Sequence, residues 1–310
     1  MAVYTKLTAG EIKDLINQYD IGGLKDFCGI EEGSENTNYL IHTGTAKHIL
    51  TIYEKRVRAE DLPFFLGLTE HLADGGIPCP RPVHDKNGNV LQEIKGKKAA
   101  VVSFLHGKSA VEITPMHCQE VGKMLAKMHL ATEGFPLERH NNMGKDNWQE
   151  LFGKIKSRIS EIPGIKAGVV TQTLEKLNNE WPANLPTGII HADLFPDNVF
   201  FAREKLTGVI DFYFACNDFL SFDLAICLNS WCFDNDWNYV PERAKGMLAG
   251  YDSVRKIMPE ESENLPILAL GAALRFLLTR AHDWLNPKTR KRDPQEYWRK
   301  LNYFRKELSY

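Results

Sequence analysis

The 310-residue chain is 43% hydrophobic and 25% charged, enough apolar material for two cores without covalent staples. Its 38 Lys and Arg against 40 Asp and Glu give a net charge of −2, which argues against general attraction to nucleic acid or to an anionic membrane and in favour of a small-molecule partner. The six cysteines, Cys28, Cys79, Cys118, Cys216, Cys227 and Cys232, include no Cys-x-x-Cys pair, so neither a zinc site nor a disulfide framework is expected, only buried free thiols.

In chain order, Met1 to Lys6 hold no apolar core, and no uninterrupted apolar stretch reaches ~18 residues. Export and membrane spanning are therefore not expected, and the expected compartment is the cytoplasm. Thr8 to Tyr19 reads as a helix with a Thr8-x-x-Glu11 capping box and Ile12, Leu15, Ile16 and Tyr19 on one face. From Leu24 to Tyr53 the pattern is that of strands, with Tyr39-Leu40-Ile41 and Lys47 to Tyr53 flanking a turn at Gly44. A helix follows from Arg58 to Asp74, where Leu62, Phe65, Leu66, Leu68 and Leu72 recur at helical spacing and Gly75-Gly76 stops it. Pro78, Pro80 and Pro82 enforce an extended link. Asn87-Gly88 predicts a hairpin between Pro82-Val83-His84 and Val90-Leu91-Gln92, and Lys98 to Leu105 a strand leading to Gly107.

Beyond Gly107 the chain becomes helical. Thr114-Pro115 supplies a cap and a first-turn residue, and Val121, Met124, Leu125 and Met128 form a buried stripe. Further helices are predicted at 146–161, 165–180, 221–233, 241–257, 263–283 and 294–307, with no internal repeat or low-complexity tract. The linker lies near residues 103 to 107, which divides the chain into 1–103 and 104–310.

Within the second part, Thr187 to Ile190 is a short apolar strand running into His191-Ala192-Asp193-Leu194-Phe195-Pro196-Asp197-Asn198. Val199 to Ala202 leaves that loop, and Leu206 to Phe212 is a second strand ending at Asp211. A histidine and an aspartate two apart, with an asparagine five further on, can place a proton acceptor and a metal ligand on one rigid turn. Phosphoryl transfer to an alcohol needs a carboxylate beside the hydroxyl, and hard oxygen ligands that leave Mg²⁺ free to hold the β- and γ-phosphates. Asp193 fits the first role, Asn198 and Asp211 the second. A plain turn accounts for the octapeptide alone equally well, since Asp and Asn are common turn formers. Asp211 shifts the balance, because a carboxylate ending an apolar strand is costly to bury unless a partner such as a metal compensates it. The expected architecture is α+β: a bilobal protein kinase-like fold with a small antiparallel β-sheet lobe carrying one main helix, a larger mostly helical lobe, and ATP in the cleft.

Seven stretches, Glu35 to Tyr39, Leu50 to Glu54, Leu62 to Leu66, Pro78 to Pro82, His191 to Asn198, Ile210 to Phe212 and Ala273 to Phe276, carry a resemblance. The chain resembles the aminoglycoside phosphotransferase and choline kinase superfamily over nearly its whole length, and within it the homoserine kinases of that fold. The resemblance implies ATP- and Mg²⁺-dependent phosphorylation of L-homoserine to O-phospho-L-homoserine, on the route to threonine. Residues 1–103 would be the nucleotide-covering lobe, and 104–310 would carry the catalytic loop and acceptor site. Position by position, Asp193 resembles the catalytic base, His191 the residue bracing the loop, Asn198 and Asp211 the magnesium ligands, and Asp223 an aspartate that supports the loop. Gly33 to Asn38 falls where a phosphate-covering loop belongs. The Ser34 hydroxyl and the Asn36 and Asn38 amides are candidate phosphate contacts there, a polar hairpin turn being the alternative. Ser103 and Leu105, with Val102, resemble the segment whose backbone hydrogen-bonds adenine. Two departures stand out. Ala192 replaces the more usual glycine, and Thr51 stands where a lysine normally touches the α- and β-phosphates, leaving Glu60 without its usual partner and Lys55 and Arg56 as the nearest basic residues.

An amino-acid alcohol presents a carboxylate and an ammonium, so the acceptor site should offer an arginine. Arg275, within Ala272 to Leu278, is the substrate candidate, with Arg280 on the same helix; a structural ion pair to Asp218, Asp223 or another helix carboxylate is the alternative. Gly107-Lys108-Ser109 imitates the end of a Walker A loop, but Val102 occupies the first glycine's position. His117 with Cys118, and Cys227 with Cys232, fall in helical patterns and read as packed residues rather than metal ligands. Three other readings stay open. The same machinery could act on choline, methylthioribose or an aminoglycoside, with Trp231 and Trp237 as cage aromatics for choline. The missing lysine suggests a nucleotide-binding pseudokinase module. His191, Asp193 and Asp211 could also serve a metallohydrolase. The sequence specifies no oligomeric state.

Overall fold

The computed structural model describes residues 3–31, 36–54, 57–286 and 292–309. They form two compact units: Met1–Gly107 with Thr207–Tyr213, and Lys108–Leu206 with Phe214–Tyr310. The first unit thus extends to Gly107 and takes in Thr207–Tyr213, residues that a division after 103 leaves with the second.

In the first unit the expected capping box is present. Thr8 Oγ1 accepts the Glu11 N–H at 3.3 Å, and the Glu11 carboxylate accepts the Thr8 N–H at 2.7 Å. It starts α1 (Ala9–Ile16), which buries Ile12, Leu15 and Ile16. The sheet comprises β1 (Leu24–Ile30), β2 (Thr37–Thr43), β3 (Lys47–Ile52), β4 (Gln92–Ile94) and β5 (Lys97–Ser103), all antiparallel in the order β1-β2-β3-β5-β4. The two-residue period of a strand sorts the side chains between faces. Tyr39, Ile41, Leu50, Ile52, Ala99 and Val101 cluster with the α1 residues, whereas Tyr53 and Ala100 cluster with Leu62 and Leu66 of α2 (Leu62–Asp74). That helix begins after a 3-10 turn, Ala59–Asp61, rather than at Arg58. Cys28 is the exposed thiol; the other five cysteines are buried.

Asn87-Gly88 turns the chain without a ladder on either side. The Asp85 carboxylate accepts the N–H groups of Asn87 (2.8 Å) and Asn89 (2.7 Å) and the Gln92 amide (2.9 Å), closing a loop around one side chain. The hairpin is instead β4-β5, turned by Lys95 and Gly96 at φ +51° and +71°, the positive pair that a two-residue type I′ turn needs. Lysine at the first position hides the usual Asn-Gly or Asp-Gly signature. Thr207–Tyr213 joins this unit through local bonds. The Val209 N–H donates to Pro78 O at 2.8 Å, Thr207 Oγ1 donates to His106 O at 2.7 Å, and the Tyr213 ring lies edge-on to Tyr53 and Phe65, each at 5.7 Å.

The second unit is helix-rich. Its helices are α3 (Pro115–Ala131), α4 (Trp148–Ile155), α5 (Ala167–Glu180), α6 (Leu220–Trp231), α7 (Pro241–Asp252), α8 (Pro259–Leu285) and α9 (Gln295–Glu307). Thr114 caps α3 as expected, accepting the His117 N–H at 3.3 Å. The helix anticipated at 146–161 is instead α4 followed by a separate 3-10 turn, Ile159–Glu161. Short strands lie on either side of the loop at residues 191–198 in the sequence: β6 (Thr187–Ile190), β7 (Val199–Ala202), β8 (Lys205–Val209), whose residues from Thr207 on belong to the first unit, and β9 (Cys216–Phe219), paired β6-β9 and β7-β8. β8 ends two residues before Asp211, and β9 is unanticipated.

Close packing in this unit depends on glycine. A Cβ on Gly122 of α3 would lie 2.1 Å from Met247 O, and one on Gly250 of α7 would lie 2.1 Å from Gln119 O. The two backbones touch where no side chain fits. α8 is long and apolar enough to cross a membrane by composition, but 83% of its most apolar stretch is buried inside the protein, which makes it a core helix.

Candidate active site

The loop between β6 and β7 is held by a carboxylate from another element. Asp223, in the first turn of α6, is fully buried and accepts the His191 N–H at 2.7 Å and the Ala192 N–H at 2.9 Å. His129 Nε2 on α3 lies 3.2 Å from the same carboxylate. Burial alone would push the Asp223 pKa up; the hydrogen bond and charge of His129, with the charge and N–H of His191, outweigh it and hold the group below the usual carboxylate range. An ionised carboxylate only accepts, so His129 Nε2 donates to it, while Nδ1 is hydrogen-bonded to the Tyr251 hydroxyl at 2.8 Å. Tyr251 Oη in turn accepts from Arg255 Nη1 at 3.2 Å, and Arg255 pairs with Glu261 at 3.0 Å. Ala192 sits at φ +63°, in the left-handed region. For a non-glycine residue this is strained, and its own N–H together with that of His191, both bonded to Asp223, keep it there.

Asp193, half-buried, follows directly. Its N–H donates to His191 Nδ1 at 3.2 Å, and its carbonyl accepts Asn198 Nδ2 at 2.8 Å. That bond commits the amide nitrogen of Asn198, and among the described residues its hard oxygen Oδ1 accepts no hydrogen bond. Leu194 O accepts Trp231 Nε1 at 2.8 Å. Trp231 is fully buried, which gives it a role in the loop's foundation and removes it as an exposed cage wall for a quaternary amine.

Arg275 on α8 is 3% exposed, and its Nη1 donates to Ala192 O at 2.7 Å. The alternative ion pair with Asp218 or Asp223 is not formed. Asp218 is occupied by Asn141 Nδ2 (2.6 Å) and the Phe219 N–H (2.7 Å), and burial pushes its pKa up. Arg280 pairs with Glu296, so the two arginines have different surroundings.

In the first unit, Asp211 is half-buried at φ +67°. Burial, with the neighbouring Asp211 charge, pushes the Tyr213 hydroxyl up to about 12. Thr51 is buried and donates to Asn38 Oδ1 at 2.8 Å across the β2-β3 pair, while Asn36 Oδ1 accepts the Glu54 N–H at 3.3 Å. Both amide oxygens therefore serve the sheet itself. Ser34, with Gly33, and the basic residues Lys55 and Arg56 lie outside the described residues. Ser103 exchanges bonds with Arg81: its N–H donates to Arg81 O at 2.8 Å, and its Oγ accepts the Arg81 N–H at 2.9 Å. Leu105 is half-buried, and among the described residues its backbone N–H and carbonyl are not hydrogen-bonded. Glu60 is exposed and pairs with Arg58.

Two residues of this arrangement, His129 and Tyr251, escape a reading of the sequence. His129 offers a weak signal, a histidine directly after Met128 on the buried stripe of α3; Tyr251 offers none.

A model of the phosphotransferase enzyme family matches residues 26–257. The homoserine kinase of Rhizobium meliloti (strain 1021) is 49% identical over 314 residues, covering 100% of this chain and 96% of its own length. Among solved structures, an amicoumacin kinase in complex with AMP-PNP and Ca²⁺ superposes with a TM-score of 0.72 at 16% identity, over 97% of this chain and 93% of that one. Choline kinase from Cryptosporidium parvum Iowa II gives 0.69 at 13% identity, over 97% and 96%. These two likenesses establish the fold, the kinase-like α+β plan anticipated from the sequence, and the 49% relative bears out the narrower resemblance.

Proposed function

We propose that this chain, which belongs to the phosphotransferase enzyme family, is an ATP-dependent kinase converting L-homoserine and ATP to O-phospho-L-homoserine and ADP. The observation that carries this reading is full-length identity of 49% to a homoserine kinase.

Asp193 is the base. Its carboxylate orients the acceptor hydroxyl and takes its proton as the hydroxyl oxygen bonds the γ-phosphorus and the bond to the ADP oxygen breaks. His191 keeps Asp193 in place by accepting its N–H, and Asp223 keeps His191 and Ala192 in place. Asn198 and Asp211 would hold Mg²⁺, which when bound neutralises phosphate charge. Asn198 fits that role because its nitrogen is spent on Asp193 O and, among the described residues, its oxygen is not. On the nucleotide side, Leu105 fits adenine through its unbonded backbone. Ser103, Asn36 and Asn38 have side chains or backbone already engaged, so their contribution is to shape the surface and, for Asn36, which precedes β2, to offer a backbone N–H, as Ser34 would offer its hydroxyl. Arg275 receives the acceptor carboxylate.

ADP release measured with L-homoserine, choline, methylthioribose and an aminoglycoside tests the substrate. Homoserine should be preferred; no response to it would end this reading, and no turnover with any of the four would favour a pseudokinase. Asp193→Asn should lower kcat by about 10²–10⁴-fold while ATP binding persists. Wild-type turnover in that variant would refute the assignment of the base.

A further inference from the structure

The second unit contains a cavity of about 220 Å³ between α4 and α8, lined in part by Asn147, Trp148, Glu150, Lys154, Arg275 and Thr279. It is smaller than the roughly 300–1,000 Å³ of sites for drug-sized ligands, and suits one end of a small metabolite. Its charge is asymmetric. Glu150 and Lys154, one turn apart on α4, already pair at 2.7 Å and cancel, leaving the Arg275 guanidinium as the net charge of the lining.

Arg275 is incompletely satisfied. Among the described residues its one hydrogen bond runs from Nη1 to Ala192 O, and its Nε is buried without a partner. Among the described residues no carboxylate pairs with it, and its π-face lies against the Phe276 ring at 4.6 Å. A guanidinium removed from water with most of its donors idle is costly unless an anion completes it. The planar fork of N–H groups matches a carboxylate better than any other small anionic group of an amino acid. The polar nitrogen of the adjoining wall is accounted for, because Trp148 Nε1 donates to Met143 O at 2.9 Å, so the indole presents an apolar surface.

Resting on the homoserine reading, we infer that this cavity is the carboxylate subsite for the acceptor, and that Arg275 joins it to the catalytic loop. One edge of the guanidinium fixes the carbonyl of Ala192, the residue before Asp193, and the other receives the substrate. Occupancy of the cavity and the position of the base are thereby coupled through a single side chain. The subsite selects an α-amino acid bearing a hydroxyl over a simple amino alcohol.

The experiment compares kcat and KM for L-homoserine and for its decarboxylated analogue in the wild type, in Arg275→Gln and in Thr279→Phe. Thr279 lines the cavity without touching the loop, so phenylalanine there fills the space and leaves Ala192 alone. Thr279→Phe should raise KM for homoserine at least about tenfold with kcat nearly unchanged, and should leave kcat/KM for the analogue within about twofold. Arg275→Gln should lower kcat/KM for homoserine about 100-fold and for the analogue far less. Equal losses on both substrates in both variants, or no effect of Thr279→Phe, would overturn the subsite. Should Arg275→Gln fail to fold, Thr279→Phe decides alone. A wild type that ignores homoserine refutes the proposed function instead, so the two failures are distinguishable.

Discussion

Asp223→Asn is the most informative single change to the loop's foundation. The wild-type carboxylate takes three donors on two oxygens, at 2.7, 2.9 and 3.2 Å, with no exposure to water. Asparagine offers one oxygen. In its better orientation that oxygen keeps the His191 N–H and His129, and the new NH₂ then faces the Ala192 N–H, donor against donor. An orphaned buried donor costs about 1–3 kcal/mol, and the loss of charge assistance on the two remaining bonds about 1 kcal/mol each. The total is about 3–5 kcal/mol, the range seen when one partner of a buried charged pair is removed. Ala192, at φ +63°, loses its restraint and can leave the left-handed region, so kcat should fall together with stability. Urea unfolding followed by tryptophan fluorescence reads the first, and homoserine-dependent ADP release the second. The folded-state pKa of Asp223 lies below its ordinary value of 3.8. Its stabilisation is therefore complete above that value and fades as pH falls through the lower folded one, and the gap between wild type and variant should close on the acid side. A variant within about 0.5 kcal/mol of the wild type, with unchanged kcat, would refute the whole account of the loop.

Glu296→Gln should be destabilising by about 3–5 kcal/mol, because Lys300 (2.5 Å) and Arg280 would remain as two buried cations. Burial pushes Glu296 up, but those two charges hold it below the usual range, so the penalty should shrink in acid; a pH-independent penalty in urea titrations would contradict the pairing. Gly122→Ala should lower the thermal midpoint by an amount equivalent to roughly 3 kcal/mol, since its Cβ would meet Met247 O at 2.1 Å; an unchanged midpoint would mean that α3 and α7 part freely. Asp211→Asn should raise the Mg²⁺ concentration for half-maximal activity at least about tenfold, and an unshifted titration would remove Asp211 from the metal site.

What the sequence discloses and what it hides separate by range. The caps at Thr8 and Thr114 are legible because each is a bond between residues three apart. The spacing of His191, Asp193 and Asn198 is legible for the same reason, since the bonds that shape the turn run only two and five residues. Asp85 shows how a local pattern misleads: Asn87-Gly88 does turn the chain, but a nearby carboxylate gathers the N–H groups that a ladder would have used. The pairing of β9 with β6, and the return of Thr207–Tyr213 to the first unit, follow from partners far along the chain and leave no periodicity to read.

The residue where this limit matters most is Ala192. An alanine in place of glycine in the loop suggests from sequence a slightly stiffer turn. In the folded chain it is a left-handed residue whose N–H is held by Asp223, 31 positions away, and whose carbonyl is held by Arg275, 83 positions away. His129 reaches the same carboxylate from 94 positions away, and Tyr251 lies 122 from His129. Both sides of one strained residue are thus fixed from opposite directions by long-range bonds, and the energy that keeps Asp193 presented comes from helices α3, α6, α7 and α8 rather than from the loop. A motif can therefore mark where chemistry takes place, whereas its preorganisation is a property of the packed helices around it.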